Sequence, residues 1–121
     1  MSEKKILVVD DEKDMLRLIE YNLNYHGYLV VTAQNGHEGL EKLRSEMPDM
    51  VLLDIKMPGL NGYEVCKIIK NEPSVRHIPV VFVSVAASEE DTQFCGAQAY
   101  ITKPFAPKTL LNKVKNILEE V

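Results

Sequence analysis

Short runs of apolar residues alternate along the chain with stretches in which apolar residues recur every three or four positions. Residues 6–9 (ILVV) and 50–53 (MVLL) are uninterrupted apolar runs, a pattern typical of strands buried on both faces of a parallel sheet. The intervening stretches have the period of amphipathic helices that cover such a sheet. Five units of each kind follow one another, which predicts an α/β fold with a single doubly wound, five-stranded parallel sheet and five helices.

Turn and capping residues set the boundaries of these elements. Gly27 ends the first helix, Asn35 and Glu38 open the second, Pro48 ends it, and Pro73 follows the third. The predicted strands are residues 6–9, 28–33, 50–54, 80–83 and 99–102. The predicted helices are residues 13–25, a second one between Asn35 and Pro48, residues 63–71, a short one at 89–95, and a last one from Pro107 onward.

The composition fits one ordinary globular domain. The 121 residues are 45% hydrophobic and 26% charged, with no low-complexity stretch, so we expect residues 1–121 to form one domain. The net charge of -4 argues against a surface for nucleic acid or anionic membrane. The first apolar run is too short for a signal peptide and no run could span a membrane, so we predict a soluble cytoplasmic protein. Cys66 and Cys95 have no metal-ligand spacing and are expected to be reduced thiols.

Polar residues end four of the predicted strands. Asp10 and Asp11 follow the first strand, Asp54 ends the third, Ser84 follows the fourth and Lys103 comes just after the fifth. Right-handed crossovers keep the strands parallel, so all of these residues should meet at one edge of the sheet. Crowded carboxylates repel each other unless a cation neutralises them, which indicates a hard divalent metal such as Mg²⁺.

A metal site, a carboxylate nucleophile, a hydroxyl and an ammonium group together suit the transfer of a phosphoryl group. Asp54 is the better nucleophile because it stands alone at its strand end, before a loop with Pro58 and Gly59, whereas the adjacent acids Asp10 and Asp11 suit the cation. Attack by a carboxylate would give an acyl phosphate.

These motifs resemble a known family. ILVVDDE at the first strand, LLDIKMPGLNG around Asp54, Val83 with Ser84, and YITKPF around Lys103 are similar to CheY-like receiver domains of bacterial two-component response regulators. The resemblance covers essentially the whole chain and implies a flavodoxin-like sheet with strand order 2-1-3-4-5. It also implies that Asp54 accepts a phosphoryl group from a sensor histidine kinase or a histidine phosphotransferase.

The resemblance assigns roles to the remaining residues. Asp11 and Asp54 would bind Mg²⁺ directly, the backbone carbonyl of Lys56 would complete the protein ligands, and Asp10 would act through a metal-bound water. Other residues would contact the phosphoryl group or change position when it is attached. Ser84 and Lys103 would contact phosphoryl oxygens, a cis peptide before Pro104 would aim the lysine across the sheet edge, and Tyr100 would turn inward with Ser84 as the switch.

One departure from the family pattern concerns the output surface. The segment from Ser84 to Lys103 is shorter than usual by roughly one helical turn, so we expect a short or irregular fourth helix. Partner docking should then rely more on the first helix, near residues 14–18, and on the loop after Lys103. Lys56 and Ala86 flank the expected path of attacking water.

No DNA-binding or catalytic output pattern is present, so we expect signalling through contacts with a downstream protein target. The chain would do this as a free-standing receiver or as one domain of a longer regulator.

Two other functions share this architecture or chemistry. A flavodoxin-like electron carrier would need a phosphate-binding loop where Asp10 and Asp11 stand, and these acids would repel a flavin phosphate. A small Mg²⁺-dependent aspartyl-phosphate phosphatase would share the nucleophile, but the position of its usual proton donor, two residues after the nucleophile, is Lys56. Flavin absorbance, or multiple turnover of a phosphomonoester, would favour one or the other.

Overall fold

A computed structural model shows one parallel sheet covered by helices on both faces. It describes residues 3–85 and 87–119, apart from the side chain of Phe94. The strands are β1 (Lys5–Val9), β2 (Leu29–Ala33), β3 (Met50–Leu53), β4 (Val80–Ser84) and β5 (Ala99–Thr102). All pair in parallel in the order β2-β1-β3-β4-β5, so the predicted fold and strand order are confirmed.

Five helices connect and follow the strands, and their ends agree with the predictions to within a few residues. They are α1 (Lys13–Tyr25), α2 (Gly36–Glu46), α3 (Gly62–Lys70), α4 (Glu89–Cys95) and α5 (Pro107–Leu118). Helix α2 stops before Pro48, at Met47, which has a positive φ of 44°. Helix α3 begins one residue earlier than predicted because the Asn61 side chain accepts a hydrogen bond from the Glu64 N–H at 3.0 Å and caps it. Helix α4 has only seven residues, as the short segment predicts.

The apolar strands separate two layers of core. In β1, Ile6 and Val8 pack toward α1 and α5, while Leu7 and Val9 pack toward the opposite face. The helices α2 and α3 cover that opposite face with side chains such as Leu43. Both faces of the central strands are therefore buried, which explains their continuous runs of apolar residues.

The topology also fixes where polar residues can gather. The chain leaves β1 toward β2 on one side, whereas β3, β4 and β5 lie on the other, so the carboxyl ends of β1 and β3 border the point where the strand order reverses. Open α/β sheets bind their ligands at this point.

Two further expectations concern the cysteines and the membrane. Cys66 and Cys95 are both buried free thiols, as predicted. Within the described ranges no helix is long and apolar enough to cross a membrane.

Candidate functional site

Backbone hydrogen bonds continue beyond the strands and hold the site residues at one edge of the sheet. The Asp54 N–H donates to the Val9 carbonyl at 3.0 Å, and the Lys103 N–H donates to the Ser84 carbonyl at 3.1 Å. Asp10 is held in the same way by the carbonyl of Ala33, at 3.1 Å. Each polar side chain therefore leaves a fixed backbone position, which gives the site a rigid frame.

Three carboxylates converge at this edge. One oxygen each of Asp10, Asp11 and Asp54 lie within 4.8 Å of one another. The residues Asp10 and Asp54 are buried, with 2% and 5% of their surfaces exposed, whereas Asp11 is exposed. A small cluster of carboxylates with one open side offers the oxygen ligands that hard divalent cations prefer.

The ammonium group of Lys103 lies inside this acidic cluster. Its Nζ is 2.7 Å from Asp10 Oδ2, 3.5 Å from Asp54 Oδ2 and 3.5 Å from Glu12 Oε1. The Lys103–Pro104 peptide is cis. Burial lowers the pKa of Lys103, but the hydrogen bond to Asp10 and the nearby negative charges outweigh it and raise the pKa above its ordinary value. Lys103 is therefore protonated at neutral pH and places a positive charge in the site.

Asp10 and Asp54 are held differently. Asp10 uses both oxygens, since Oδ2 accepts from Lys103 and Oδ1 accepts from the Glu12 N–H at 2.9 Å. Burial raises the pKa of Asp10 despite these bonds. Among the described residues, the side chain of Asp54 has only long contacts, from the Lys56 N–H to Oδ1 at 3.4 Å and from Lys103 to Oδ2 at 3.5 Å, which are beyond the usual hydrogen-bond distance. Asp54 is thus the buried carboxylate with the weaker hydrogen bonds.

The hydroxyl of Ser84 is fully buried and has no hydrogen-bond partner among the described residues. Leaving a buried hydroxyl unpaired costs about 1–3 kcal/mol. Such an exception in a well-packed domain calls for an explanation, because buried polar groups are nearly always satisfied. A ligand that brings acceptor oxygens to this edge would supply the missing partner.

The loop between β3 and α3 approaches Asp54 closely at Gly62. The Gly62 N–H donates to the Ile55 carbonyl at 2.8 Å, and a Cβ atom at position 62 would lie 2.4 Å from the Asp54 carbonyl oxygen. Only glycine fits there. The loop also borders an open cavity of about 460 Å³, lined by Ile55, Lys56, Met57, Pro58, Asn61 and Tyr63.

The other predicted site residues are placed as follows. Lys56 is exposed beside Asp54, and Tyr100 on β5 is half-buried against the core that α3 covers. Ala86, expected to flank attacking water, lies outside the described residues. The structure adds Glu12 to the site, through its contact with Lys103. The sequence held a signal for it, since Glu12 directly follows the acidic pair.

The residues present fit a bound divalent cation. The three carboxylates supply oxygen ligands on neighbouring strand ends, and the repulsion between Asp10 and Asp54, which contributes to the raised pKa of Asp10, would be relieved by a positive ion. Asp11 is exposed and so accessible from solvent. The acidic cluster can therefore bind a metal ion.

Comparison with known proteins agrees with this geometry. Residues 6–115 match the response regulator receiver domain family. The alkaline phosphatase synthesis transcriptional regulatory protein PhoP of Bacillus subtilis (strain 168) is 42% identical over 118 residues, which cover 95% of this chain and 48% of that protein. The probable transcriptional regulator ycf27 of Guillardia theta is 39% identical, covering 97% and 46%. The chain spans about half the length of these curated relatives.

Solved structures show the same fold. The chemotaxis protein CheY4 of Vibrio cholerae superimposes with a TM-score of 0.91 at 29% identity, covering 97% of this chain and all of that one. A CheY-like response regulator receiver domain protein from Methanospirillum hungatei JF-1 gives a TM-score of 0.88 at 37% identity, covering 98% and 96%. The family match over most of the chain, together with these relatives, shows that this protein belongs to the response regulator receiver domain family, the signalling domains of two-component systems.

Proposed function

We propose that residues 1–121 act as one receiver domain in which Asp54 accepts the phosphoryl group. The observation that carries this proposal is a convergence of three buried groups at one sheet edge. They are a weakly bonded carboxylate, an ammonium group, and a hydroxyl that has no partner among the described residues. An oxygen of Asp54 would attack the phosphorus of a phosphohistidine, form an O–P bond and release the imidazole with the electron pair of the broken P–N bond.

The surrounding residues would stabilise charge on the transferred group. Lys103 lies 3.5 Å from Asp54 and would donate hydrogen bonds to phosphoryl oxygens. The hydroxyl of Ser84, which has no partner among the residues described, would donate to another. Asp10 holds Lys103 in place through its 2.7 Å ion pair, so its role in this reaction is to orient the lysine as well as to attract a cation.

The cofactor is proposed to be Mg²⁺, held by Asp11 and Asp54, by the backbone carbonyl of Lys56, and by Asp10 through a water. When bound, the ion would neutralise negative charge on the carboxylates and on the phosphoryl oxygens. The grouping of the three carboxylates supports this proposal, and the repulsion between Asp10 and Asp54 would favour a bound cation.

The partners follow from the family. A sensor histidine kinase or a histidine phosphotransferase would supply the phosphoryl group, and the phosphorylated domain would change its contacts with a downstream protein. This is a signalling role without turnover of a separate substrate, apart from the loss of its own phosphate. The relatives PhoP and ycf27 are named as transcriptional regulators, which supports transcription as the process that the domain serves. We place this role in the cytoplasm, with no direct contact to nucleic acid or membrane by this domain.

Phosphorylation by a small phosphodonor tests this proposal. Incubation with acetyl phosphate and Mg²⁺ should add the mass of one phosphoryl group to the intact protein, because Asp54 and the ammonium group of Lys103 already lie together at the sheet edge. Chelation of the metal should prevent the addition. A spectrum with no adduct, under conditions in which another receiver domain is labelled, would contradict the proposal.

Metal binding should also be visible without any phosphodonor. At a Mg²⁺ concentration of about ten times the dissociation constant, the folded state should gain about 1.4 kcal/mol, which raises the thermal midpoint by roughly 4 °C for a domain of this size. Asp11→Asn removes one proposed ligand from an exposed position and should abolish most of that shift. Equal shifts in the wild type and in Asp11→Asn would place the metal elsewhere.

A further inference from the structure

Helix α4 is joined to α3 by a hydrogen bond between two side chains next to the site. The Tyr63 hydroxyl, in the first turn of α3, donates to Asp91 Oδ1, in the first turn of α4. Asp91 is nine-tenths buried. Hydrogen bonding to the Asp91 carboxylate, with some burial, raises the pKa of Tyr63 to about 12, so the phenol remains a donor at neutral pH.

The same carboxylate holds the end of the loop that leaves β4. Asp91 Oδ2 accepts from the Ser88 N–H at 2.8 Å and from the Ser88 hydroxyl at 3.3 Å. Closer to the site, the Ala87 N–H donates to the Ser84 carbonyl at 3.3 Å. Hydrogen bonds therefore link Tyr63 to Asp91 and Asp91 to Ser88. The peptide bond joins Ser88 to Ala87, and the Ala87 N–H returns to Ser84, the residue whose hydroxyl would contact the phosphoryl group.

Helix α3 is held by many contacts of its own, whereas α4 depends on its neighbours for its position. Helix α3 is fixed by its capping box at Asn61 and Glu64 and by buried residues such as Val65, and the ring of Tyr63 packs edge-on against buried Phe82 with centroids 5.7 Å apart. Helix α4 has seven residues, and helices this short are not stable by themselves, so their position depends on tertiary contacts.

We infer that Tyr63 is a positioning residue that, by binding Asp91, holds Ser84 and Ala87 in the arrangement seen here. This inference rests on the proposed function, since it requires the Ser84 hydroxyl to donate a hydrogen bond to the phosphoryl group. In the arrangement seen here the Ser84 hydroxyl is unpaired among the described residues. Moving it toward a phosphoryl group on Asp54 pulls on the loop, and the Tyr63–Asp91 bond opposes that movement. Loss of the bond raises the population of the state that binds a phosphoryl group.

The test is the affinity for beryllofluoride, a phosphoryl mimic, measured by calorimetry in the presence of Mg²⁺. Tyr63→Phe removes only the hydroxyl and keeps the ring against Phe82. It should bind beryllofluoride roughly threefold to tenfold more tightly than the wild type, because less of the binding energy is used to shift the population. Tyr25→Phe is the matched control, since Tyr25 is 76% exposed on α1, and its affinity should equal that of the wild type.

A second variant assigns the effect to the bond itself. Asp91→Asn weakens the same hydrogen bond from the other side, and the double variant Tyr63→Phe with Asp91→Asn should bind no more tightly than the tighter of the two single variants. Amide NMR signals of Ser84 and Ala87 in the Tyr63→Phe protein without ligand should shift toward their positions in the wild type with beryllofluoride.

The possible outcomes separate this inference from the proposed function. If wild-type protein fails to bind beryllofluoride, the proposed function itself fails. If wild type and Tyr63→Phe bind with equal affinity, or the variant binds more weakly, the inference is overturned whatever happens to thermal stability. Additive effects of the two substitutions would also overturn it, because they would act independently of their shared bond.

Discussion

Asp54→Ala and Asp54→Asn are expected to abolish labelling by acetyl phosphate completely. Asp54 is the buried carboxylate of the cluster whose oxygens make only long contacts, at 3.4 and 3.5 Å, within the part of the chain that the structure describes. Asp10 cannot replace it as nucleophile, because both of its oxygens are engaged by Lys103 and by the Glu12 N–H. Intact-mass measurement after incubation with the phosphodonor and Mg²⁺ gives the result directly.

The Asp54→Asn protein provides its own check on folding. The substitution keeps the side-chain shape and the backbone bond to Val9. It removes a long contact to Lys103 and also the repulsion that Asp54 exerts on Asp10, so the metal-free thermal midpoint should stay within a few degrees of the wild type. Labelling that persists in a folded Asp54→Asn protein would show that another residue is the acceptor.

Asp49→Asn is a matched control, because it replaces an aspartate that lies outside the acidic cluster of the site. Asp49 precedes the same strand and its Oδ2 accepts the Lys5 N–H at 2.8 Å, at the edge of the sheet opposite to the site. Its replacement removes one carboxylate from the same part of the chain but leaves the cluster intact. Asp49→Asn should therefore be labelled as fast as the wild type.

The sequence predicted the sheet well because its signals are local and redundant. Residues 6–9 and 50–53 can be buried only as central strands, and β1 and β3 are indeed paired neighbours with Ile6 opposite Met50. The predicted ends of α3 were less accurate, each by one residue. Asn61 was placed in the loop, although Glu64 three residues later completes a capping box that starts the helix at Gly62.

The candidate site was predictable as a set of residues but not as a set of contacts. Parallel topology alone brings Asp10, Asp54 and Lys103 to one edge of the sheet. That Lys103 bonds Asp10 at 2.7 Å and stands farther from Asp54 depends on the path of the chain after β5, which periodicity does not encode. The bond between Tyr63 and Asp91 joins residues 28 positions apart, and no local pattern indicates such a pair.

The prediction with the largest effect on stability concerns Gly62→Ala. A Cβ atom at this position would lie 2.4 Å from the Asp54 carbonyl oxygen and 2.7 Å from Ile55 Cα. These are backbone atoms of the strand end and cannot rotate away, so the loop must move. Overpacking of this kind costs about 1–3 kcal/mol or more, and we expect a value near the upper end and a fall in the thermal midpoint of roughly 10 °C.

The same substitution should slow phosphorylation, since the peptide that it displaces is the one that carries Asp54. Gly59→Ala, three residues earlier in the loop that leads to α3, is the matched control. Gly59 has a φ of 76°, and beyond its two chain neighbours no described residue has an atom within 4 Å of its would-be Cβ. Alanine there therefore meets only the left-handed backbone strain of about 1–2 kcal/mol and leaves Asp54 in place. Thermal melts and labelling rates should therefore separate the two variants. If Gly62→Ala were as stable as Gly59→Ala and were labelled at the wild-type rate, the close approach of Gly62 to Asp54 would not exist in solution.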